Sequence, residues 1–367
     1  MMDFSASDQA HMAQALRLAE RGLFTTQPNP RVGCVIADGS DVVGEGWHQR
    51  AGEPHAEVFA LRAAGARARG ATAYVTLEPC AHHGRTPPCA DALIAAGVAR
   101  VVIASDDPFP QVNGRGIDKL RAAGITVETG LMREAARELN IGFFSRIERG
   151  RPWLRVKLAM SLDGRTALAN GESKWITGDA ARLDVQRWRA RSSAILTGSG
   201  TVLVDDPRLT VRLPAQEEFA PPLRVVLDRG LRTPAGSHVL NGEAPTLVLH
   251  ADDAVAADDR FARVERLALP LQGVVLDLRA ALALLAERGC NEVHVEAGPT
   301  LGGALFAEGL VDELLLYVAP VLLGDGAHPL LRLPNLTEMA ARWQLETVDR
   351  RAMGDDLRLL LRPRAPA

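Results

Sequence analysis

Four residues near the start of the chain combine a metal-binding set with a candidate proton carrier. One residue separates His55 from Glu57, Cys80 follows a proline, and eight residues separate Cys80 from Cys89. One imidazole and two thiolates can hold a zinc ion and leave a fourth coordination position for water, as catalytic zinc sites do. Glu57 can carry protons beside such a site without being a ligand. These residue types predict a catalytic zinc site.

The order His-x-Glu, then Pro-Cys, then a second Cys is typical of zinc-dependent nucleobase deaminases. In that chemistry zinc acidifies a water molecule, and the glutamate passes protons to the departing ammonia. The gap between the cysteines is longer here than the two residues of the usual signature, which makes room for substrate contacts in the loop. The alternative is a closed structural zinc site, for which His82 or His83 in the same loop offers a fourth ligand.

Strand and helix patterns place these residues at the ends of regular elements. Helices are predicted at 8–21, 56–67, 90–96, 116–123 and 131–147, and strands at 31–37, 41–47, 73–77, 100–104 and 125–128. Cys89 then opens a helix, where backbone amides favour a thiolate, and Cys80 follows a strand. Residues two apart on a regular helix point in different directions, so Glu57 meets His55 only through an irregular first turn. The alternation predicts an α/β layered sheet.

The segment 148–152 combines charges with glycine and proline and predicts a linker. We therefore expect two domains, 1–149 and 150–367, which agrees with a length of 367 residues at roughly 150 residues per domain. The second domain is also predicted to be α/β, with a polar surface excursion at 251–265. Its strands are predicted at 153–160, 194–197, 223–227, 246–250, 292–296 and 313–318, and its helices at 178–190, 278–288 and 301–308.

Composition excludes several classes of protein. A formal net charge of −3 and an aromatic content of 4% argue against a nucleic-acid binder, which needs basic and stacking surfaces. The sequence has no window resembling a signal peptide or a membrane span. Four cysteines in a chain of this length do not indicate a disulfide framework, and we expect a cytoplasmic protein.

Several strings in the first half resemble one family closely. They are Asn-Pro-Arg-Val-Gly-Cys at 29–34, Gly-Trp-His at 46–48, Ala-Gly-Glu-Pro-His-Ala-Glu at 51–57 and the twelve residues 78–89. They are similar to the deaminase half of the bifunctional deaminase/reductase of riboflavin biosynthesis, which also has the long cysteine gap. The resemblance implies a cytidine-deaminase-like α/β/α sandwich acting on a diaminopyrimidinone that carries a ribosylamino phosphate. It further implies that Asn29 and His48 contact this substrate and that Arg85 holds its phosphate.

The second half carries strings at 157–165, 172–178, 198–207, 209–212 and 295–305. The last runs from a strand through a glycine-rich loop into a helix, where backbone amides can bind an anionic group, although it lacks the G-x-G-x-x-G pattern. Together the strings resemble the reductase half of the same family. The resemblance implies a dihydrofolate-reductase-like α/β fold, NADPH as cofactor, and reduction of the ribosylamino sugar to ribitylamino.

The resemblance also assigns individual residues in the second half. By that match the substrate contacts are Ser173, Arg189, Leu209, Arg212 and Glu296. The cofactor contacts are Ala159, Trp175, Thr201, Asp205, Gly298, Pro299, Thr300, Leu301, Gly302, Gly303 and Ala304. Lys157 is a candidate for polarising the sugar. The family also suggests a homo-oligomer.

Three other readings remain open from the residues alone. The second half could be a binding or dimerisation module attached to a deaminase. The deaminase could edit nucleic acid, against which composition argues. The metal site could be a non-enzymatic scaffold, in which Glu57 would have no proton to carry.

Overall fold

A charged segment with glycine and proline separates two folding units near residue 150. The computed structural model describes residues 4–81, 88–109 and 112–364. Backbone contacts divide the chain into Met1–Gly150 and Arg151–Ala367, one residue after the boundary expected from the sequence. In the described part of the chain no helix is both long and apolar enough to cross a membrane.

The first unit alternates helices with short strands. Its helices are α1 (Ala6–Glu20), α2 (Ala56–Ala64), α3 (Cys89–Ala96), α4 (Arg115–Ala122), α5 (Arg133–Leu139) and α6 (Ile141–Arg149). Its strands are β1 (Gly33–Asp38), β2 (Asp41–Trp47), β3 (Thr72–Val75), β4 (Arg100–Ile103) and β5 (Thr126–Thr129). Within the described residues these strands form one sheet in the order β2-β1-β3-β4-β5. The β2-β1-β3 pairings are antiparallel, and β3, β4 and β5 are parallel.

Helices cover both faces of this sheet because the buried strands are apolar on both sides. Successive side chains of a strand point to opposite faces. Ile36 therefore packs with Ala60 of α2 and Leu93 of α3, whereas the neighbouring Val35 packs with Met12 of α1. The result is the α/β/α sandwich expected from the sequence.

The predicted helix at 131–147 is wrong in one respect, because Asn140 divides it into α5 and α6. The Asn140 side chain accepts a hydrogen bond from the Arg31 backbone amide at 2.8 Å and donates one to the Arg31 carbonyl at 2.9 Å. An amide side chain that binds distant backbone competes with the helix. The sequence pattern does not reveal this partner, since it lies 109 residues away.

The second unit contains a larger sheet. Its helices are α7 (Asp179–Arg191), α8 (Ser199–Asp205), α9 (Leu278–Glu287) and α10 (Pro299–Ala307). Its longer strands are β6 (Trp153–Ser161), β8 (Ala194–Gly198), β9 (Leu223–Leu227), β10 (Thr246–Ala251), β11 (Glu265–Leu269), β14 (Glu292–Glu296), β15 (Glu313–Ala319), β17 (Leu345–Met353) and β18 (Asp356–Pro363). Four short strands are β7 (Arg165–Ala167), β12 (Leu271–Gln272), β13 (Val275–Leu276) and β16 (His328–Pro329).

The nine longer strands found in the described residues form one sheet in the order β11-β10-β9-β8-β14-β6-β15-β18-β17. The strands from β11 to β15 are parallel, and β18 and β17 add an antiparallel edge. This edge hairpin and α8 were not predicted. The outer strand β17 is exposed along most of its length and therefore lacks the apolar pattern of a buried strand. The α/β class expected for this unit is confirmed.

Candidate active sites

The ends of α2, β3 and α3 bring the predicted zinc ligands together. His55 is the N-cap of α2 and Cys89 is the first residue of α3. Cys80 lies in the loop that follows β3, and its Sγ accepts a hydrogen bond from the Cys89 backbone amide at 3.3 Å. The pairing of a strand end with two helix N-termini places donor atoms from three parts of the chain in one cluster.

The spacing of the three donor atoms fits a tetrahedral zinc ion. His55 Nδ1 lies 3.3 Å from Cys89 Sγ and 3.6 Å from Cys80 Sγ. All three donor atoms lie within 4.8 Å of one another. Zinc with bonds of the usual length holds a nitrogen and a sulfur ligand about 3.6 Å apart. The set of one imidazole and two thiols therefore matches the metal in donor type and in geometry.

Glu57 meets this cluster because His55 is not helical. The N-cap residue has extended dihedral angles, φ −76° and ψ 167°, whereas Glu57 lies in the first turn of α2. The irregular first turn required by the sequence is therefore present. The Glu57 side chain is 3% exposed, and its Oε2 has no hydrogen-bond partner among the described residues. A buried carboxylate oxygen without a partner is costly unless a ligand or solvent satisfies it.

Burial and neighbouring charges shift the protonation of this cluster. Burial raises the pKa of Glu57 to about 7, against the opposing effect of His55. A hydrogen bond between the two thiols lowers the pKa of Cys80 to about 4 and raises the pKa of Cys89. The pair therefore holds a negative charge beside His55, which suits a cation.

The two described residues predicted to contact the deaminase substrate lie beside the cluster and contact each other. Asn29 Nδ2 lies 3.1 Å from His48 Nε2, and His48 Nδ1 lies 3.1 Å from the Pro54 carbonyl oxygen. This pattern requires Nδ1 to donate and Nε2 to accept, so His48 is neutral. Its ring also packs edge-on against the His55 ring, with centroids 5.4 Å apart. Arg85 and the alternative ligands His82 and His83 lie outside the described residues.

Glu78, which was not predicted from the sequence, also belongs to the surroundings of the metal cluster. Its side chain is 4% exposed and accepts hydrogen bonds from backbone amides at the start of α4, including Gly114 at 3.0 Å and Gly116 at 2.9 Å. The only signal in the sequence was its place in the string Glu-Pro-Cys that ends at Cys80.

In the second unit, the carboxyl ends of parallel strands gather candidate substrate residues at one edge of the sheet, where ligands bind in open α/β sheets. Glu296 ends β14 directly beside Lys157 of β6. Arg189 of α7 contacts both oxygens of Glu296, with Nε–Oε1 at 2.5 Å and the second nitrogen–oxygen pair at 2.7 Å. The third arm of Arg189 donates to the Thr210 carbonyl at 2.8 Å, which fixes the loop between Leu209 and Arg212.

The acidic and basic side chains of this site do not balance in number. Burial would raise the pKa of Glu296, but Arg189 outweighs it and holds the pKa well below its usual range. Burial, assisted by Arg189, lowers the pKa of Lys157, and Glu296 only partly opposes this. Arg212 carries its charge at the surface. The site therefore has one carboxylate facing three basic side chains, which favours an anionic substrate.

The predicted cofactor residues fall into two groups. Gly298 is the N-cap of α10, and its amide donates to Thr201 Oγ1 at 3.3 Å, so these two lie together beside the strand ends. Gly302 and Gly303 are buried on α10, and a Cβ on Gly303 would lie 2.0 Å from the Arg332 carbonyl oxygen. Close packing by the chain at 331–332 is thus a sufficient reason for glycine there. Pro299, Thr300, Leu301 and Ala304 belong to the same helix.

The remaining assigned residues are more loosely connected. No side-chain hydrogen bond or ion pair within the described residues joins Ser173, Trp175, Ala159 or Asp205 to the Arg189–Glu296 pair. Trp175 is 70% exposed and packs against Arg182 of α7, with 4.8 Å from the guanidinium carbon to the ring centroid. Leu209 is 2% exposed and packs in the core, so only its backbone is available to a substrate.

Comparison with known proteins agrees with both halves of this description. Residues 5–105 match the family model of the cytidine and deoxycytidylate deaminase zinc-binding region, and residues 152–358 match that of the RibD C-terminal domain. The fold and the metal cluster define a zinc-binding deaminase unit of the cytidine deaminase class joined to a reductase unit. The chain belongs to the RibD family of riboflavin biosynthesis proteins, and it is a bifunctional enzyme of that pathway, with deaminase and reductase domains.

The similarity extends over the full length. Riboflavin biosynthesis protein RibD of Escherichia coli (strain K12) is 51% identical, over 96% of this chain and 99% of its own length. The solved structure of Acinetobacter baumannii RibD, form 1, is 46% identical with a TM-score of 0.91, covering 98% of this chain and 99% of that chain. The Thermotoga maritima diaminohydroxyphosphoribosylaminopyrimidine deaminase/5-amino-6-(5-phosphoribosylamino)uracil reductase is 34% identical with a TM-score of 0.85, covering 98% and 99%.

Proposed function

We propose that the first unit removes an amino group from a diaminopyrimidinone bearing a ribosylamino phosphate, and that the second unit reduces the product with NADPH. The observation that supports the first step most strongly is the triangle of His55, Cys80 and Cys89 beside the unpartnered Oε2 of Glu57. The reactions are those named for the Thermotoga maritima relative. The two steps convert an amino-pyrimidine ribosyl compound to an amino-uracil ribityl compound.

In the deaminase unit, His55, Cys80 and Cys89 would hold the zinc ion, which when bound acidifies water for attack on the ring carbon. Glu57 would accept a proton from the attacking water at Oε2 and pass it to the amino group that leaves as ammonia. Burial of the carboxylate excludes bulk water, so the proton passes to the substrate and is not lost to solvent. We assign Asn29 and His48 to contacts with the substrate, and Arg85 to its phosphate.

In the reductase unit, NADPH would supply the hydride, and the protein supplies placement. Arg189 is engaged with Glu296 and Thr210 through all three of its nitrogens, so it is suited to orienting Glu296. The exposed Arg212 is then the better phosphate partner. Lys157, whose pKa is lowered by burial, would polarise the sugar. Ser173 and the backbone of Leu209 complete the proposed substrate contacts.

We assign the cofactor to the strand ends near Thr201 and Gly298, with Ala159, Trp175 and Asp205 at its borders. The N-terminus of α10 offers first-turn backbone amides and a favourable dipole to the cofactor phosphates. The stretch from Pro299 to Ala304 would contribute mainly backbone. The preference for NADPH over NADH is proposed from the family resemblance alone.

Four broader assignments accompany this proposal. The deaminase domain comprises 1–149 and the reductase domain 150–367. The cytoplasm is the proposed location, which agrees with four cysteines that form no disulfide. A homo-oligomer is the proposed assembly, and sedimentation velocity of the full chain would measure it. A small phosphorylated pyrimidine, and not nucleic acid, is the proposed substrate.

The decisive experiment supplies the full chain with the diaminopyrimidinone substrate and follows products by mass spectrometry, with and without NADPH. Without NADPH we expect exchange of one amino group for oxygen, with release of ammonia. With NADPH we expect the addition of two hydrogens as well. Zinc analysis of the same sample should give one zinc per chain.

Two outcomes would contradict the proposal. Full deaminase turnover by metal-free protein would exclude the zinc mechanism. Deamination without any NADPH-dependent product, in protein that is folded throughout, would favour the view that the second unit is a binding module. A separate result, release of ammonia from tRNA or single-stranded DNA, would favour a deaminase that edits nucleic acid.

A further inference from the structure

Glu78 lies two residues before a zinc ligand, yet its carboxylate points away from the metal cluster into a set of backbone amides. Oε1 accepts hydrogen bonds from Gly116 at 2.9 Å and Ile117 at 3.3 Å. Oε2 accepts from Gly114 at 3.0 Å and Asp107 at 3.4 Å. Its own backbone amide donates to the Ser105 carbonyl at 3.0 Å. Both oxygens of a buried carboxylate are thus satisfied by the loop after β4 and the first turn of α4.

A second, independent contact joins the same two segments. A Cβ built on Gly116 would lie 1.9 Å from the Pro79 carbonyl oxygen and 3.1 Å from its carbon. No side chain fits at that distance, so the Glu78–Pro79 backbone rests directly on the start of α4. The next residue is Cys80, whose carbonyl accepts from Ala90 at 3.2 Å and whose Sγ accepts from Cys89 at 3.3 Å.

These contacts form a continuous connection. The start of α4 contacts Glu78 and Pro79, and these two residues precede Cys80 directly. Cys80 in turn is hydrogen-bonded to the first turn of α3, which carries the ligand Cys89. A negative charge at the start of α4 is favourable because the first-turn amides and the helix dipole both point at it. Metal sites depend on such supporting contacts, since they fix the direction of each ligand.

We propose that Glu78 is a positioning residue of the zinc centre. It anchors Cys80 to the N-terminus of α4, where Gly116 leaves room for the Pro79 backbone. Glu78 touches neither substrate nor metal. Its function is to keep the Cys80 thiolate within reach of His55 and Cys89. This inference rests on the proposed zinc site and goes beyond the ligand set.

The variants Glu78→Gln and Gly116→Ala perturb this connection in different ways, although the added Cβ of Gly116→Ala would also lie 3.2 Å from Glu78 Oε1. In Glu78→Gln an amide NH₂ replaces one oxygen and faces two N–H donors that it cannot accept from. In Gly116→Ala the carboxylate is kept, but the new methyl group pushes the Pro79 carbonyl. The matched control is Asp8→Asn, which removes another buried carboxylate of the same unit that also accepts several hydrogen bonds, at α1.

Zinc affinity is measured by competition with a chromophoric chelator, and ligand geometry by the visible absorption of the cobalt-substituted protein. We expect both Glu78→Gln and Gly116→Ala to lose about 10- to 100-fold in zinc affinity and to change the cobalt spectrum. Asp8→Asn should lower the thermal unfolding temperature yet bind zinc and absorb cobalt like wild type. Reductase turnover on the same chains should be unchanged and reports that the second unit is folded.

Wild-type zinc affinity and cobalt spectrum in both test variants would overturn the proposal. Equal weakening of zinc binding by Asp8→Asn would also overturn it, since that result would mean a general loss of stability. Should Glu78→Gln fail to fold, Gly116→Ala and the shortened Glu78→Asp carry the same expectation and the same refutation. A wild-type chain that binds no zinc would instead contradict the proposed deaminase site.

Discussion

At the scale of the residue, Glu57 differs from the other described carboxylates of its unit, because one of its buried oxygens has no partner among the described residues. A structural carboxylate satisfies its oxygens inside the protein, as Glu78 does with four backbone amides. A carboxylate that must exchange protons with a ligand has to keep an oxygen available. The contrast between these two glutamates, both nearly fully buried, separates a catalytic role from a positioning role.

Replacing Glu57 by glutamine should therefore abolish deamination and keep the metal. The neutral amide cannot take a proton from water, and removal of a general base costs about 10²- to 10⁴-fold in rate. Ammonia release and zinc content should be measured on the same protein, with NADPH oxidation as the control for folding. Wild-type deamination by this variant would disprove the role assigned to Glu57.

In the second unit, the buried carboxylate with a proposed role is Glu296. Its negative charge offsets the positive charges of Arg189 and Lys157. Its replacement by glutamine leaves buried positive charge without a counter-charge. We expect a loss of about 3 kcal/mol in the free energy of unfolding, the low end for a broken buried pair, together with loss of reductase turnover. Urea unfolding and NADPH oxidation would measure the two effects.

Glu217→Gln is the matched control for that change. Glu217 pairs with Arg187 at 3.4 Å, and the Arg187 side chain is 54% exposed. Solvent screens such a pair, so its loss should cost within about 0.5 kcal/mol. Equal effects in the two variants would show that the Arg189–Glu296 pair has no special importance.

At the scale of the element, the close fit of α2 against β2 determines where His55 lies. A Cβ on Gly46 would be 2.3 Å from the Ala56 carbonyl oxygen, and one on Gly44 would be 2.2 Å from the Ala60 carbonyl oxygen. Glycine in the strand lets the helix approach to backbone distance. The contact at Gly46 is with the first turn, the turn that carries the N-cap histidine.

Gly46→Ala should consequently displace the first turn of α2. We expect overpacking to cost about 1–3 kcal/mol in stability and to reduce both zinc binding and deamination, with reductase activity kept. Gly236→Ala is the control, because nothing lies within 4 Å of its added Cβ and no effect is expected. Unchanged deamination in Gly46→Ala would mean that α2 tolerates the shift.

The first helix is held to the sheet by Asp8, which accepts from Tyr74 and pairs with Arg100. Burial alone would raise the pKa of Asp8, but hydrogen bonds from Arg100, Tyr74 and the Ser5 cap outweigh it, and the pKa lies well below its usual range. A depressed pKa in the folded state means that the carboxylate stabilises the fold above its unfolded pKa. This stabilisation disappears as the pH falls toward the folded pKa.

Asp8→Asn should accordingly be less stable than wild type at neutral pH, by about 1–3 kcal/mol for hydrogen bonds to a charged group. The difference should shrink as the pH is lowered below about 4, the unfolded pKa of an aspartate. Urea unfolding at several pH values measures it, with the exposed Asp41→Asn as control. A difference that stays constant down to acidic pH would contradict the sign derived above.

At the scale of the whole molecule, two compact units carry two separate sites, and their metal requirements should differ. Chelation of zinc is expected to abolish deamination, since the proposed ligands lie in Met1–Gly150. NADPH oxidation with the deaminated substrate should continue, because none of the proposed reductase residues is a zinc ligand. Steady-state assays of both steps before and after chelation test this, and restored zinc is the control. Loss of both activities on chelation would contradict independent sites.

The sequence predicted most of the regular elements because buried strands and amphipathic helices carry a strong apolar pattern. The strands Asp41–Trp47, Leu223–Leu227 and Glu292–Glu296 agree in both bounds with the prediction. The edge strand Leu345–Met353 was missed because exposed polar positions remove that pattern, and the break at Asn140 was missed because its partner is distant in sequence.

The sequence by itself determined the donor types of the metal site and the α/β class, because residue identity fixes which atoms can bind zinc and apolar spacing fixes which segments pair. Tertiary structure alone decided three things: that His55 leaves the helix as an N-cap, that the Glu78 carboxylate binds backbone amides at the start of α4, and that Arg189 pairs with Glu296. Each depends on contacts between residues that are far apart in the chain or on a local backbone angle. Residue type and spacing predict neither such contacts nor such a backbone angle.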